Sequence, residues 1–146
     1  MTKEIKTEIV INSSKERIWE VLTNFKEYPV WNPFIQSITG KIEIGEKLKV
    51  KIVPPNSKGM IFNPTVLALE KGTKLCWLGN FLFKGLFDGT HQFELIDNGD
   101  GSTTFLHNEV FKGFLLLFLG KNFELNTKYG FILMNENLKK KLENND

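Results

Sequence analysis

The chain is poor in the residue types on which many binding and catalytic chemistries rest. A single cysteine, Cys76, excludes an internal disulfide and a multi-cysteine metal site, and it suits a reducing compartment. Charge of one sign is scarce too, because 19 basic and 17 acidic side chains leave a formal net charge of +2. The basic residues are scattered except for Lys139, Lys140 and Lys141, which fall where the last turn of a helix is expected. Cations there meet the negative end of the helix macrodipole, so the triplet reads as a solvated cap and no nucleic-acid partner is expected. The only strong apolar run, Phe114–Leu119, is too short to span a bilayer, and Met1 to Lys6 shows no apolar core like that of a signal peptide. The expectation is a cytoplasmic chain without a membrane span. No phosphate-binding glycine signature is present, and no serine sits in a strand-to-helix elbow. Gly99 and Gly101 belong to the turn Asp97–Ser102, where positive φ is the reason for glycine. No cofactor is expected.

What the chain has in excess is ring surface: 13 Phe, 3 Trp and 2 Tyr among 146 residues. That length suits a single domain, residues 1–146, burying roughly 68–70% of its unfolded surface without staples. The organising stretch is its end. From Gly113 onward there is no proline, and at about 100° per residue Leu116, Leu117, Gly120, Phe123, Thr127, Phe131, Met134, Leu138 and Leu142 fall on one arc. One helix over 114–143 is expected, about 45 Å long, with a kink or break at Gly120 as the alternative. Leu115, Phe118, Leu125, Tyr129, Ile132 and Leu133 lie on its other side, an apolar row that suggests a weak homodimer or a mobile lid.

Ahead of that helix, Glu4–Asn12 alternates as a half-buried strand, with Ile5, Thr7, Ile9 and Ile11 on one face. Ser13 and Glu16 read as a capping box, and Ile18, Val21, Leu22 and Phe25 recur at helical spacing beside Trp19. The segment Tyr28-Pro-Val-Trp-Asn-Pro-Phe34 is too proline-rich for a long helix and predicts a short helical turn or bend. Strand-like runs follow at 35–44, 47–53, 60–70, 74–82, 86–96 and 103–111, separated by turn residues. Short connections make neighbouring strands antiparallel, and one long helix covers one face only, so the sheet should curl around it.

This order of elements resembles the helix-grip superfamily, also called START-like or SRPBCC, and within it the small bacterial polyketide cyclase/dehydrase-like proteins. The resemblance is carried by Ile11-Asn-Ser-Ser14 leading into Ile18-Trp19, by Tyr28–Ile35, by Leu75-Cys-Trp-Leu-Gly79, by His91-Gln-Phe-Glu-Leu95 and by Thr104–Gly113, and it spans the whole chain. It implies an α+β helix-grip fold: a curved antiparallel sheet of about seven strands wrapped around a long C-terminal helix, with one or two short helices after the first strand. It also implies an apolar cavity between sheet and helix.

Alternation places Phe87, Gly89, His91, Phe93 and Leu95 on one face of one strand, and Phe105, His107, Glu109 and Phe111 on one face of the next. If that face is concave, His91, His107 and Glu109 are polar groups in a ring-lined cavity, suited to orienting a ligand or exchanging a proton. The plainer reading of the same residues is that each histidine is hydrogen-bonded across the strands and Glu109 pairs with one of them. Strand spacing of this kind carries no zinc or iron signature, and no metal is expected. The candidate ligand-binding set is Trp31, Phe34, Trp77, Phe87, His91, Phe93, Phe105, His107, Glu109, Phe111, Phe123, Thr127 and Phe131. The leading reading is non-catalytic binding of a hydrophobic small molecule such as a lipid, isoprenoid or aromatic. A cyclase or dehydratase acting on a polyketide-like substrate through His91, His107 or Glu109 is the alternative, and a co-chaperone-like interaction module is the second.

Overall fold

A computed structural model describes residues 2–144. The first strand, β1 (Thr2–Ile11), leads into α1 (Lys15–Thr23), a one-turn 3-10 segment and α2 (Tyr28–Trp31). Seven strands follow: β2 (Ile35–Thr39), β3 (Lys49–Ile52), β4 (Met60–Phe62), β5 (Thr65–Glu70), β6 (Lys74–Asn80), β7 (Asp88–Asp97) and β8 (Thr103–Lys112). A 3-10 segment at Phe114–Phe118 and the helix α3 (Lys121–Glu143) complete the order. This is the α+β arrangement expected, a curved antiparallel sheet with a long C-terminal helix packed against it.

Three details differ from the expectation. The run 60–70 is two strands, because Asn63-Pro64 interrupts it and proline has no N–H to give to a ladder. The strands accordingly form a five-stranded sheet in the order β1-β8-β7-β6-β5 and a three-stranded sheet β2-β3-β4. Backbone bonds from Leu48 to Pro64 O and from Val66 to Glu46 O join the two, so together they still make one curved wall. The helix starts at Lys121 rather than Phe114, with Gly120 as its extended N-cap residue, and its 23 residues span about 35 Å. Phe114–Phe118 instead turns back on the β6–β7 loop, where Leu115 N–H donates to Leu86 O at 3.1 Å. Leu116 is buried there while Leu117, which the helical arc placed inward, is 65% exposed. The cap of α1 is Ser14, which accepts from Arg17 N–H at 3.2 Å, so the capping box assigned to Ser13 sits one residue early.

Within α3, Thr127, Phe131, Met134, Leu138 and Leu142 are buried, while Leu125, Tyr129 and Leu133 on the far side are exposed. Polar ties fix the helix over β1: Lys3 pairs with Glu124 at 3.0 Å, Asn12 N–H donates to Glu143 at 2.9 Å, and Lys139 donates to Val10 O at 2.7 Å. Gly130 marks the closest approach. A Cβ there would run into the Phe34 ring, which is held edge-on to Phe131 at 5.4 Å.

That contact generates a test. Gly130→Ala improves helix propensity by about 1 kcal/mol, yet its Cβ overlaps the buried Phe34 ring and forces that ring to move, a change that costs about 1–3 kcal/mol. Urea denaturation is expected to show net destabilisation, and Phe34→Leu in the same chain is expected to recover part of it. A Gly130→Ala protein more stable than wild type contradicts this packing.

Candidate functional site

Register builds the site row by row. Across β6, β7 and β8 the pairings place Trp77 opposite His91 and His91 opposite Glu109; one row on, Gly79 faces Gly89 and Gly89 faces Phe111. The first row fills the concave face with an indole, an imidazole and a carboxylate. The second leaves two of its three positions without side chains. A Cβ on Gly89 would strike Oε2 of Glu109, so glycine there is what seats the carboxylate.

The space over the glycine row is a cavity of about 110 Å³. Phe34, Trp77, Phe87, Phe111, Phe123 and Thr127 supply part of its wall together with Glu109, and these belong to the set picked from sequence. The opposite wall was not anticipated: Val50 and Ile52 from β3, Pro54, Met60 and Phe62 around β4, and Pro64. Eleven of the lining side chains are apolar, and Glu109 and Thr127 are the two polar ones. A broader groove of about 530 Å³ lies between the end of α1 and β2, lined by residues such as Thr23, Lys26 and Thr39. It carries one aromatic ring, Phe25, and one titratable side chain, Lys26, so the smaller cavity with its six aromatic rings and Glu109 is the better candidate.

His91 and His107 lie behind that wall, 1% and 0% exposed. They belong to one polar chain through the core. Glu109 Oε1 meets His91 Nδ1 at 3.0 Å, His91 Nε2 meets His107 Nε2 at 2.8 Å, and His107 Nδ1 meets Asn135 Oδ1 at 2.9 Å. Asn135 Nδ2 then donates to Thr7 Oγ1 at 2.9 Å, and that hydroxyl donates to His107 O at 2.7 Å. Rings sheathe the chain: Trp77 lies flat on His91 at 4.9 Å and Phe131 flat on His107 at 4.0 Å. Phe93 stands edge-on to both imidazoles, and Phe105 packs beside Phe93 and His107. Phe93, Phe105 and Phe131 are therefore packed around the histidines, not along the cavity. Trp31 sits farther off, edge-on to Tyr28 at 5.2 Å.

Burial, reinforced by the neighbouring His91, holds the His107 imidazole well below its ordinary value of 6.5. Burial pushes the Cys76 thiol up, so it carries little thiolate and makes a poor nucleophile. Among the described residues no group of three His, Cys, Asp or Glu side chains converges on a metal position. No helix there is long and apolar enough to cross a membrane.

A curved antiparallel wall closed over a long helix, with a ring-lined cavity between them, defines a START-like, helix-grip protein. The family model described as polyketide cyclase / dehydrase and lipid transport matches residues 2–143, so the chain belongs to that family. No curated protein matches the sequence. Among solved structures, a START superfamily protein from Mycobacterium smegmatis is 15% identical, with a TM-score of 0.76 over 98% of this chain and 99% of that one. A protein of Mesorhizobium loti is 20% identical, with a TM-score of 0.75 over 99% of both chains. The ZhuI aromatase/cyclase from Streptomyces sp. R1128 is 9% identical, with a TM-score of 0.77 over 98% of this chain and 94% of its own. At these identities the structures share the fold.

The buried histidine predicts a pH dependence. A fold that keeps His107 neutral, set against an unfolded chain titrating near 6.5, refuses a proton that the unfolded chain accepts. Its contribution is complete above that value and is lost as pH falls below it, at up to about 1.4 kcal/mol per pH unit. Thermal unfolding between about pH 7 and about pH 5 is expected to show a steeper fall in wild type than in His107→Gln. Parallel curves would mean that His107 carries none of the dependence.

Proposed function

We propose that the protein binds a small apolar molecule in the cavity between β3–β4, the open end of β6–β8 and α3, with Glu109 orienting it. The observation that carries this reading is the wall itself: eleven apolar side chains and one carboxylate whose second oxygen faces the space. A volume of about 110 Å³ is below the roughly 300–1,000 Å³ of drug-sized sites and near the ~150 Å³ of an apolar cavity that admits benzene. In this conformation the occupant is the size of a single ring. A lipid or polyketide chain requires the β3–β4 wall and α3 to part.

Glu109 paired with His91 also favours a second reading, a cyclase- or dehydratase-type enzyme in which that pair moves a proton on a polyketide-like substrate. The family description, which includes cyclases, supports it. The two readings separate on Glu109→Gln, which keeps shape and removes the charge: binding persists under both, and turnover is lost only under the second.

Occupancy itself is tested by plugging. A Cβ on Gly79 meets only Pro64, at an ordinary 3.6 Å, so Gly79→Val fits the strand and projects into the cavity. Toluene titrated into wild-type protein is expected to shift the amide resonances of Trp77, Phe87 and Phe111. In Gly79→Val the affinity should fall at least about tenfold while the melting temperature holds or rises. Unchanged toluene binding in the plugged variant removes the cavity from consideration.

A further inference from the structure

The polar chain behind Glu109 has a direction, and the direction can be read from one contact. Thr7 Oγ1 lies 2.7 Å from His107 O, a carbonyl that only accepts, so the single hydroxyl proton of Thr7 is spent there. Thr7 Oγ1 must then accept from Asn135, which puts the Asn135 amide nitrogen on Thr7 and its oxygen on His107 Nδ1. His107 Nδ1 consequently carries hydrogen. His107 is fully buried among rings and neutral, so its Nε2 is a lone pair, and the 2.8 Å contact with His91 Nε2 requires His91 to donate. With Nε2–H on His91 fixed, the 3.0 Å contact between His91 Nδ1 and Glu109 Oε1 needs a further proton on one of the two atoms. Either the pair is imidazolium with carboxylate, or it is neutral imidazole with carboxylic acid. The flat stacking of Trp77 on His91 suits the cationic form.

In both forms Oε2 of Glu109 bears lone pairs and no hydrogen. It reaches the cavity beside Gly89, and no hydrogen bond to it is present among the described residues. We propose that Thr7 and Asn135, from the far side of the core, hold one dissociable proton on the Glu109–His91 pair. Glu109 thereby meets a ligand purely as a hydrogen-bond acceptor and selects ring-sized apolar molecules that carry a hydroxyl or amine donor. This rests on the reading of the cavity as the binding site. It makes Thr7 and Asn135 positioning residues, since neither is on the cavity wall.

Two measurements on the full chain test it. Long-range proton–nitrogen correlation spectra of the histidine rings at neutral pH should show His107 neutral and protonated on Nδ1, and His91 protonated on Nε2. Thr7→Val keeps the strand and frees the Asn135 amide to turn over, so a population of His107 protonated on Nε2 should appear. A wild-type His107 protonated on Nε2, or cationic, overturns the direction of the chain, and so does a Thr7→Val spectrum identical to wild type. Phenol and anisole then differ by the donor and one methyl group, and toluene, with a methyl in place of the hydroxyl, controls for size. Phenol should bind about tenfold or more tightly than anisole, the range of a hydrogen bond to an ionised group, and in Glu109→Leu the preference should vanish. Equal binding of phenol and anisole to wild type overturns the selectivity while leaving the cavity reading intact. If phenol, anisole and toluene all fail to bind, the cavity reading falls and takes the selectivity with it, and the tautomer spectra still decide the direction of the chain.

Discussion

Burying two imidazoles among aromatic rings is the constraint around which the rest of the structure is arranged. An unpartnered polar group in such a place costs about 1–3 kcal/mol, a large share of a total stability of about 5–15 kcal/mol. Every ring nitrogen of His91 and His107 is met, by Glu109, by the other histidine and by Asn135. Those partners come from different elements, so satisfying them fixes the elements relative to one another. Apolar packing alone lets a helix slide by part of a turn at modest cost, whereas Asn135 reaches both His107 and Thr7 from one axial position only. The salt bridge and backbone ties at either end of α3 agree with that position.

The cavity is the other half of the same arrangement. On the row of Trp77, His91 and Glu109 the concave face is filled, and Phe131 closes the histidines from above. On the next row Gly79 and Gly89 contribute nothing, and Phe111 stacks flat against Phe87 at 5.4 Å with Phe123 edge-on to both. The rings thus stand around the glycines, and the hole has walls. Glu109 sits at the boundary between the two rows, joined to the core by one oxygen and to the cavity by the other.

Much of this was legible in the sequence because it depends on period. Alternation in β7 and β8 puts His91, His107, Glu109 and their neighbouring phenylalanines on one face without reference to any other element, and the arc from Thr127 to Leu142 does the same for α3. What sequence left open depends on pairing. Only the register shows that Gly79 and Gly89 lie side by side, and only the separate β2-β3-β4 sheet brings Val50, Ile52, Met60 and Phe62 to face them. Pro64 inside the run 60–70 was a usable signal for the split into two strands, since proline cannot donate within a ladder. The false start of the long helix at Phe114 has a physical reason. Six successive apolar residues satisfy any helical arc, and periodicity cannot separate them from a turn folded over a loop.

The unfilled space is itself an argument about use. An unfilled cavity of about 110 Å³ weakens a fold by at most about 2–3 kcal/mol, the cost of a fully enclosed void at roughly 24 cal/mol per Å³. Filling it takes little, since Gly79 sits in an extended strand with room for a Cβ and a valine there would add both β propensity and contacts. A bound apolar molecule restores the same contacts without altering the chain. Its binding energy then adds to the stability of the occupied form in proportion to the logarithm of its concentration over its dissociation constant. On the binding reading proposed above, glycine at 79 and 89 is the arrangement that would make this end of the molecule more stable with a guest than without one. On the same reading, the neighbouring Glu109 would decide which guest by the one polar atom it offers.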